Sequence, residues 1–292
     1  MDERLADFFP QHEVHVGRDL GGRTTTIAAA DVAHYEAGTG GATPRLPLAG
    51  SAVAAPALLF HSEVYRSLAW YLPNIFGNLH ARQEWQLFAP LTIGATVRTR
   101  STVVERYLKR NREYVVNEVL VTDDTGRWLQ RSRTHQSFLI EEERRGVVVD
   151  REREKRSDRQ FATGEGPGAA IPPLVRPITI AMCEAFSGPD KNYHTDRAAA
   201  QMLGFPDIVV QGMLSVCFVS ELMTQAYGAA WQLGGTLDVR LVNVVWVNDV
   251  LTAGGKVRET VAEGAKQRLH LDVWCAKADG TIATVGTASV LQ

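Results

Sequence analysis

Apolar and polar residues follow one another along this chain in two blocks of similar pattern. Each block opens with a β-rich phrase that leads into a short helical one, TTTIAAADVAHYEAGTGG at 24–41 and PITIAMCEAFSG at 177–188. Each then carries one long apolar segment with helical spacing. In the first block it is APALLFHSEVYRSLAWYL, 55–72, with Leu58, Leu59, Val64, Leu68 and Leu72 near one face. In the second it is QGMLSVCFVSELMTQAYG, 211–228, with Leu214, Cys217, Phe218, Leu222 and Met223 similarly placed. Long β-branched runs close both blocks: ATVRTRSTVVERY, REYVVNEVLVTDD and RWLQRSRTHQSFLI in the first, TLDVRLVNVVWV, GKVRETVAE, QRLHLDVWCAK and TIATVGTASVLQ in the second. Turns fall between strands at Asp124-Thr125-Gly126 and Asp279-Gly280, where a residue with positive φ costs least.

Between the blocks lies EEERRGVVVDREREKRSDRQFATGEGPGAAIP, 141–172, dense in mixed charge and then in Gly and Pro. Such a segment buries too little apolar surface to offset its ordering entropy, and it reads as a linker. The expected organisation is a first repeat at 1–140, the linker at 141–172 and a second repeat at 173–292. One long apolar helix followed by antiparallel strands packs simply when the sheet curls around the helix. The segment 211–228 is apolar on most faces, as such a central helix requires. The expected fold class is therefore α+β, a hot-dog fold in two copies on one chain.

Composition narrows the partners. With 31 Lys+Arg against 33 Asp+Glu the net charge is -2, so no basic field is available to hold a phosphate backbone, and nucleic acid is not an expected partner. No stretch reaches the roughly 20 apolar residues that span a bilayer, and the opening MDERLADFFPQHEVHVG lacks the charge and apolar regions of a secretory leader. Cys183, Cys217 and Cys275 are odd in number and set in apolar runs, which reads as core thiols in a reducing compartment. A cytoplasmic protein without membrane contact is expected.

The chemistry is concentrated in FSGPDKNYHTDRAAAQMLGFPDIVVQGML, 186–214. This stretch resembles the signature of the MaoC-like, R-specific enoyl-thioester hydratases and dehydratases, approximately G-D-x-N-P-x-H, then Ala, G-F and I-V-x-G-M. Gly188, His194, Ala198 to Ala200, Gly204-Phe205, Ile208-Val209 and Gly212-Met213 fall on it in order. The resemblance implies a catalytic Asp and His, and a backbone N–H before the long helix that polarises the thioester carbonyl. Carried over, these roles go to Asp190, His194 and Gly212, with Asn192, Tyr193, Gln211 and Met213 flanking the substrate. Two alignments of the carboxylate stay open. If the loop is one residue shorter here, Asp190 takes the family's Asp position and Asn192 its Asn; without that gap the Asp falls on Pro189, and Asn192 itself supplies the polar group.

Physical chemistry supports the same residue types. Adding water across an α,β-unsaturated thioester needs a group that deprotonates water and one that delivers a proton to the α-carbon, which a His and a carboxylate can share. Negative charge grows on the thioester oxygen and needs fixed donors, such as a glycine N–H at the positive end of a helix. In the first block GGATPRL, 40–46, superposes on the same motif with Gly41 at the Asp and Leu46 at the His, so that copy is expected to be silent. Trp70, Tyr71, Phe76 and Trp85 fit core positions or the lining of an acyl tunnel.

Other features read plainly. Thr195 or Asp196 caps the helix at RAAAQM and Gly204 closes it. The run RYLKRNRE, 106–113, reads as a solvated turn or a contact for coenzyme A phosphates. His12-Glu13-Val14-His15 is one residue too short for H-E-x-x-H, and no metal site is expected. No G-x-S-x-G elbow occurs. The expected activity is reversible water addition or loss at a 2-enoyl or 3-hydroxyacyl thioester, without a cofactor beyond the coenzyme A or phosphopantetheine carried by the substrate. A hot-dog acyl-thioesterase and a non-hydrating acyl-binding or biosynthetic member of the fold are the alternatives. A homodimer or higher oligomer fits the fold.

Overall fold

The structure, a computed structural model, describes residues 14–68, 79–109, 112–139, 161 and 163–292. Trp70, Tyr71 and Phe76, the pair His12-Glu13, and most of the expected linker (141–160 and 162) lie outside the described residues.

The first block folds as β1 (Asp19–Thr26), α1 (Ala29–Thr39), α2 (Glu63–Leu68), β2 (Leu79–Leu87), β3 (Thr96–Lys109), β4 (Arg112–Asp123) and β5 (Trp128–Leu139). The second folds as β6 (Ala170–Pro177), α3 (Ile180–Ser187), α4 (Arg197–Met202), α5 (Met213–Tyr227), α6 (Ala229–Gln232), β7 (Thr236–Leu241), β8 (Val250–Glu263), β9 (Lys266–Lys277) and β10 (Ile282–Leu291). β6 begins inside the last three residues of the expected linker. The strands form one antiparallel sheet in the order β1-β3-β4-β5-β2-β7-β10-β9-β8-β6. Read from its two ends, the sheet is one five-strand order met by its own copy running the other way. β2 and β7 zip the halves together, with Gln83 opposite Val239 and Trp85 opposite Leu237.

Period-two burial explains the strands. Along β3, Val97, Thr99, Ser101 and Val103 are buried, while Arg98 and Arg100 between them are exposed. In the second repeat α5 fills the concave face: every residue from Met213 to Thr224 is buried. Phe218, Leu214 and Val216 are fully enclosed with Leu237, Val239, Leu271, Val273 and Val290 of the surrounding strands. Full burial of one such side chain stabilises by about 1.5–3 kcal/mol.

The first repeat departs from the helix expected over 55–72. Residues 57–62 form consecutive turns, with Leu59 N–H donating to Pro56, His61 to Leu58 and Glu63 to Phe60. Helix begins only at Glu63. The reason is a division of labour among the apolar side chains. Ala57 and Leu58 enter the core around α5, whereas Ala55, Phe60 and Val64 enter a separate core of the first repeat. A regular helix would have to serve both cores from one stripe. The start of α2 is pinned instead by Glu63, whose buried carboxylate accepts from Arg23 at 2.9 and 3.1 Å and from Thr99 at 2.8 Å. Within the basic run, Arg106 is half-buried, pairs with the buried Glu113 and donates to the Val14 carbonyl at 2.6 Å.

Candidate active site

The loop between α3 and α4 is built by its own polar side chains. Thr179 caps the start of α3, accepting from the Met182 N–H at 3.2 Å. Asn192 then folds the chain back: its amide donates to the carbonyls of Ser187 and Asp190, each at 3.0 Å, and its oxygen accepts from the His194 N–H at 2.8 Å. Thr195 completes the turn, donating to the Asp190 carbonyl at 3.1 Å and accepting from the Asn192 N–H at 3.0 Å. Asp196 caps α4 by accepting from Ala199 N–H at 2.9 Å, and that bond holds its carboxyl below the usual range. Gly204, at φ +82°, ends the helix in the left-handed region that glycine enters at least cost.

This loop delivers His194 to the segment that precedes α5. Its Nδ1 lies 2.7 Å from the Val209 carbonyl, so Nδ1 carries the proton and Nε2 is left as a lone-pair acceptor. The Val209 N–H donates in turn to the Tyr193 carbonyl at 3.2 Å. A row of rings backs the imidazole. Tyr193 lies 3.9 Å from it between centroids, Phe205 is 5.8 Å from Tyr193, and the buried Trp246 is 6.5 Å from Phe205. Burial pushes the His194 pKa down to about 4, opposed only in part by the bond to Val209. The imidazole is therefore neutral across the physiological range, with a free basic nitrogen.

Three residues after Val209 comes Gly212, at the start of α5 with φ −57° and ψ −30°. Among the described residues no group accepts from its N–H. That donor sits at the positive end of a 15-residue helix. Gln211 beside it has a buried side-chain oxygen that, among the described residues, has no hydrogen-bond partner. A base and an unpaired donor at one end of one helix can act together on a polarised double bond.

The structure separates residues that the sequence reading grouped. Asp190 is exposed and holds the loop through its main-chain carbonyl; among the described residues its carboxylate makes no hydrogen bond, and the expected Asp190–His194 pair is not formed. Asn192 is committed on both ends of its amide to the loop, which makes it a positioning residue for His194. Met213 is fully buried, and its side chain packs in the core around α5. Tyr193 and Gln211 are partly exposed next to the site. Phe205 was legible in the sequence as part of the motif; Trp246 and the Val209 carbonyl carried no local signal. Among the described residues no cluster of three His, Cys, Asp or Glu could hold a metal ion, and the three cysteines are separate buried thiols.

The equivalent loop of the first repeat is plugged. Its turn is braced by Glu36, which accepts from Thr43 N–H at 2.8 Å and pairs with Arg45. Gly41 lies against the Arg176 guanidinium, so closely that a Cβ there would stand 2.3 Å from a nitrogen. Arg176 is itself spent on buried Glu221 and on the Thr39 carbonyl.

Fold and site together define a double hot-dog protein with its histidine loop in the second repeat. Residues 158–273 match the MaoC like domain, and the chain carries a MaoC-like domain in its C-terminal half. Solved structures resemble it over nearly their whole length. A MaoC-like dehydratase superposes with TM-score 0.71 at 14% identity, covering 96% of this chain and 98% of the other. A MaoC-like dehydratase from Phytophthora capsici gives TM-score 0.67 at 14% identity, covering 96% and 97%. A Mycobacterium tuberculosis protein described as having a double hot-dog fold gives TM-score 0.62 at 13% identity, covering 96% of each chain. At these identities the likeness concerns the fold. No curated protein matches the sequence. Among the described residues no helix is long and apolar enough to cross a membrane.

Proposed function

We propose that this protein is a hydro-lyase acting on 2-enoyl and 3-hydroxyacyl thioesters of coenzyme A or an acyl carrier. The observation that carries the reading is the tautomer of His194, fixed by Val209, which leaves Nε2 basic on the loop bonded to the segment that leads into Gly212, whose N–H is unpaired among the described residues. In the hydration direction Nε2 takes a proton from water while the water oxygen bonds to C3 of the enoyl group. The π electrons move toward the thioester oxygen, where the Gly212 N–H and the α5 dipole stabilise the charge. The imidazolium then returns its proton to C2, and the enolate collapses to the 3-hydroxyacyl thioester. One histidine thus serves as base and then as acid, with no carboxylate in the cycle. Asn192 contributes by holding the His194 backbone.

The test is loss of ultraviolet absorbance of the conjugated thioester of crotonyl-CoA. His194→Ala is expected to lower kcat/KM about a hundredfold or more. Undiminished activity in that variant would overturn the assignment, and appearance of free thiol in place of the 3-hydroxyacyl product would move the protein to the thioesterases.

A further inference from the structure

The two concave faces differ in chemistry along one cross-strand row. Following the register from β4 to β9, the row reads Asn117, Thr134, Gln83, Val239, Gly286, Val273. Its first three members are polar and at most 1% exposed, and its last three are apolar. The sheet therefore changes from polar to apolar at the seam where the repeats join. Within the polar half, Thr134 donates to the Gln83 side-chain oxygen at 2.8 Å.

Next to Gln83 stands a second, half-buried pair. The Tyr65 hydroxyl lies 3.1 Å from His80 Nδ1, and among the described residues the buried His80 Nε2 has no hydrogen-bond partner. Either direction of that bond leaves something unmet. If Tyr65 donates, Nε2 carries an N–H without an acceptor; if His80 donates, Nε2 is an empty acceptor and the phenol has a proton to give. An unmet buried polar group costs about 1–3 kcal/mol, which a ligand of matching chemistry would relieve. Tyr65 is also the residue that joins this pair to the reacting end. It packs against the cores of both repeats, and it lies within electrostatic reach of Tyr193, whose ring rests on His194.

We infer that Tyr65, His80 and Gln83 form the recognition end of the site and take an acyl chain bearing a neutral hydrogen-bonding oxygen, a hydroxyl or an oxo group, in preference to an unbroken alkyl chain. The inference rests on the reading of the protein as an acyl-thioester enzyme. With the thioester at Gly212 and His194, the acyl arm passes Tyr193 and meets Tyr65 from the partner repeat. The oxygen is neutral because the groups that meet it are neutral. His80 is held uncharged by burial, which brings its pKa down to about 4. The nearby charges Arg82, Glu84 and Asp238 alternate with Gln83 and Val239 along β2 and β7, on the opposite face, and pair with one another at 2.6–3.2 Å.

The experiment is calorimetric titration of the full chain with octanoyl-CoA and with its hydroxylated counterparts, the hydroxyl walked along the chain beyond the third carbon. At least one hydroxylated ligand is expected to bind about tenfold tighter than octanoyl-CoA. Tyr65→Phe, which removes one oxygen and keeps the ring, and His80→Phe are each expected to bring the two within about twofold. Equal affinity for alkyl and hydroxylated ligands overturns the inference, and so does a preference that survives Tyr65→Phe, a result readable even if His80→Phe does not fold. Since saturated thioesters cannot be hydrated, failure to turn over crotonyl-CoA would reject the acid–base reading alone, and the binding preference would still decide this one.

Discussion

The two repeats share one strand order, yet one carries a histidine loop over a filled core and the other a plugged loop over a polar face. At corresponding places stand His194 and Leu46, and a helix of 15 residues against six described ones. The contrast teaches that duplication of a fold leaves two kinds of freedom. The second repeat spends its concave face on stability, enclosing α5 completely, and so can hold one imidazole in a fixed tautomer. The first repeat, without a histidine at Leu46, has its homologous turn closed by Arg176 and Glu36, and its inner strands carry Gln83, Thr134 and Asn117.

The contrast can be broken most severely at the core. Phe218→Ala removes a fully buried ring from α5 and is expected to cost about 3–5 kcal/mol in denaturant titration, whereas Val64→Ala in the first repeat's core should cost only about 2. Equal losses would mean that the two cores are not distinct. Next comes His194→Ala, at a hundredfold or more in kcat/KM, about 2.7 kcal/mol. Adding Leu46→His to that variant is expected to restore nothing, because Arg176 occupies the space beside the equivalent turn. A smaller effect separates the two polar residues of the active loop. Asn192→Ala should lower kcat about tenfold by releasing the His194 backbone. Asp190→Asn, at an exposed position, should change it by less than about twofold; a hundredfold loss there would restore the carboxylate to the mechanism.

Acid sharpens the same comparison. His194 must be neutral to act as a base, so kcat/KM should stay level from neutral pH downward and fall about tenfold per unit below a pH of about 4. His61 and His80 in the first repeat are likewise depressed to about 4 by burial. For all three the unfolded chain binds protons near pH 6.5 and the folded chain only near 4, so stability is full above 6.5 and declines between those values. Denaturant midpoints at pH 7 and pH 5 check the sign; a midpoint that rises on acidification would refute it.

Much of this was legible in the residues. Strand alternation such as Val97-Arg98-Thr99-Arg100 states both the element and its buried face, and the long, mostly apolar run at 213–224 identifies the central helix. Spacing from Gly188 through His194 to Gly212 marked the loop that brings His194 to the start of α5, and the likeness of the two halves gave the duplication. The turns at 57–62 were not legible, because apolar spacing records that side chains are buried and not which of two cores receives them.

The sequence by itself determined the two repeats, the position of the central helix and the place of the histidine loop, since these depend on periodicity and on residues near one another in the chain. Only the tertiary structure decided the contacts within the candidate site. The Val209 carbonyl selects the proton-bearing nitrogen of His194, the loop turns Asp190 outward, and the β2–β7 seam lays Gln83 against Val239. Each of these rests on a contact between segments whose approach no local pattern encodes, because hydrogen-bond direction and burial are properties of the assembled neighbourhood.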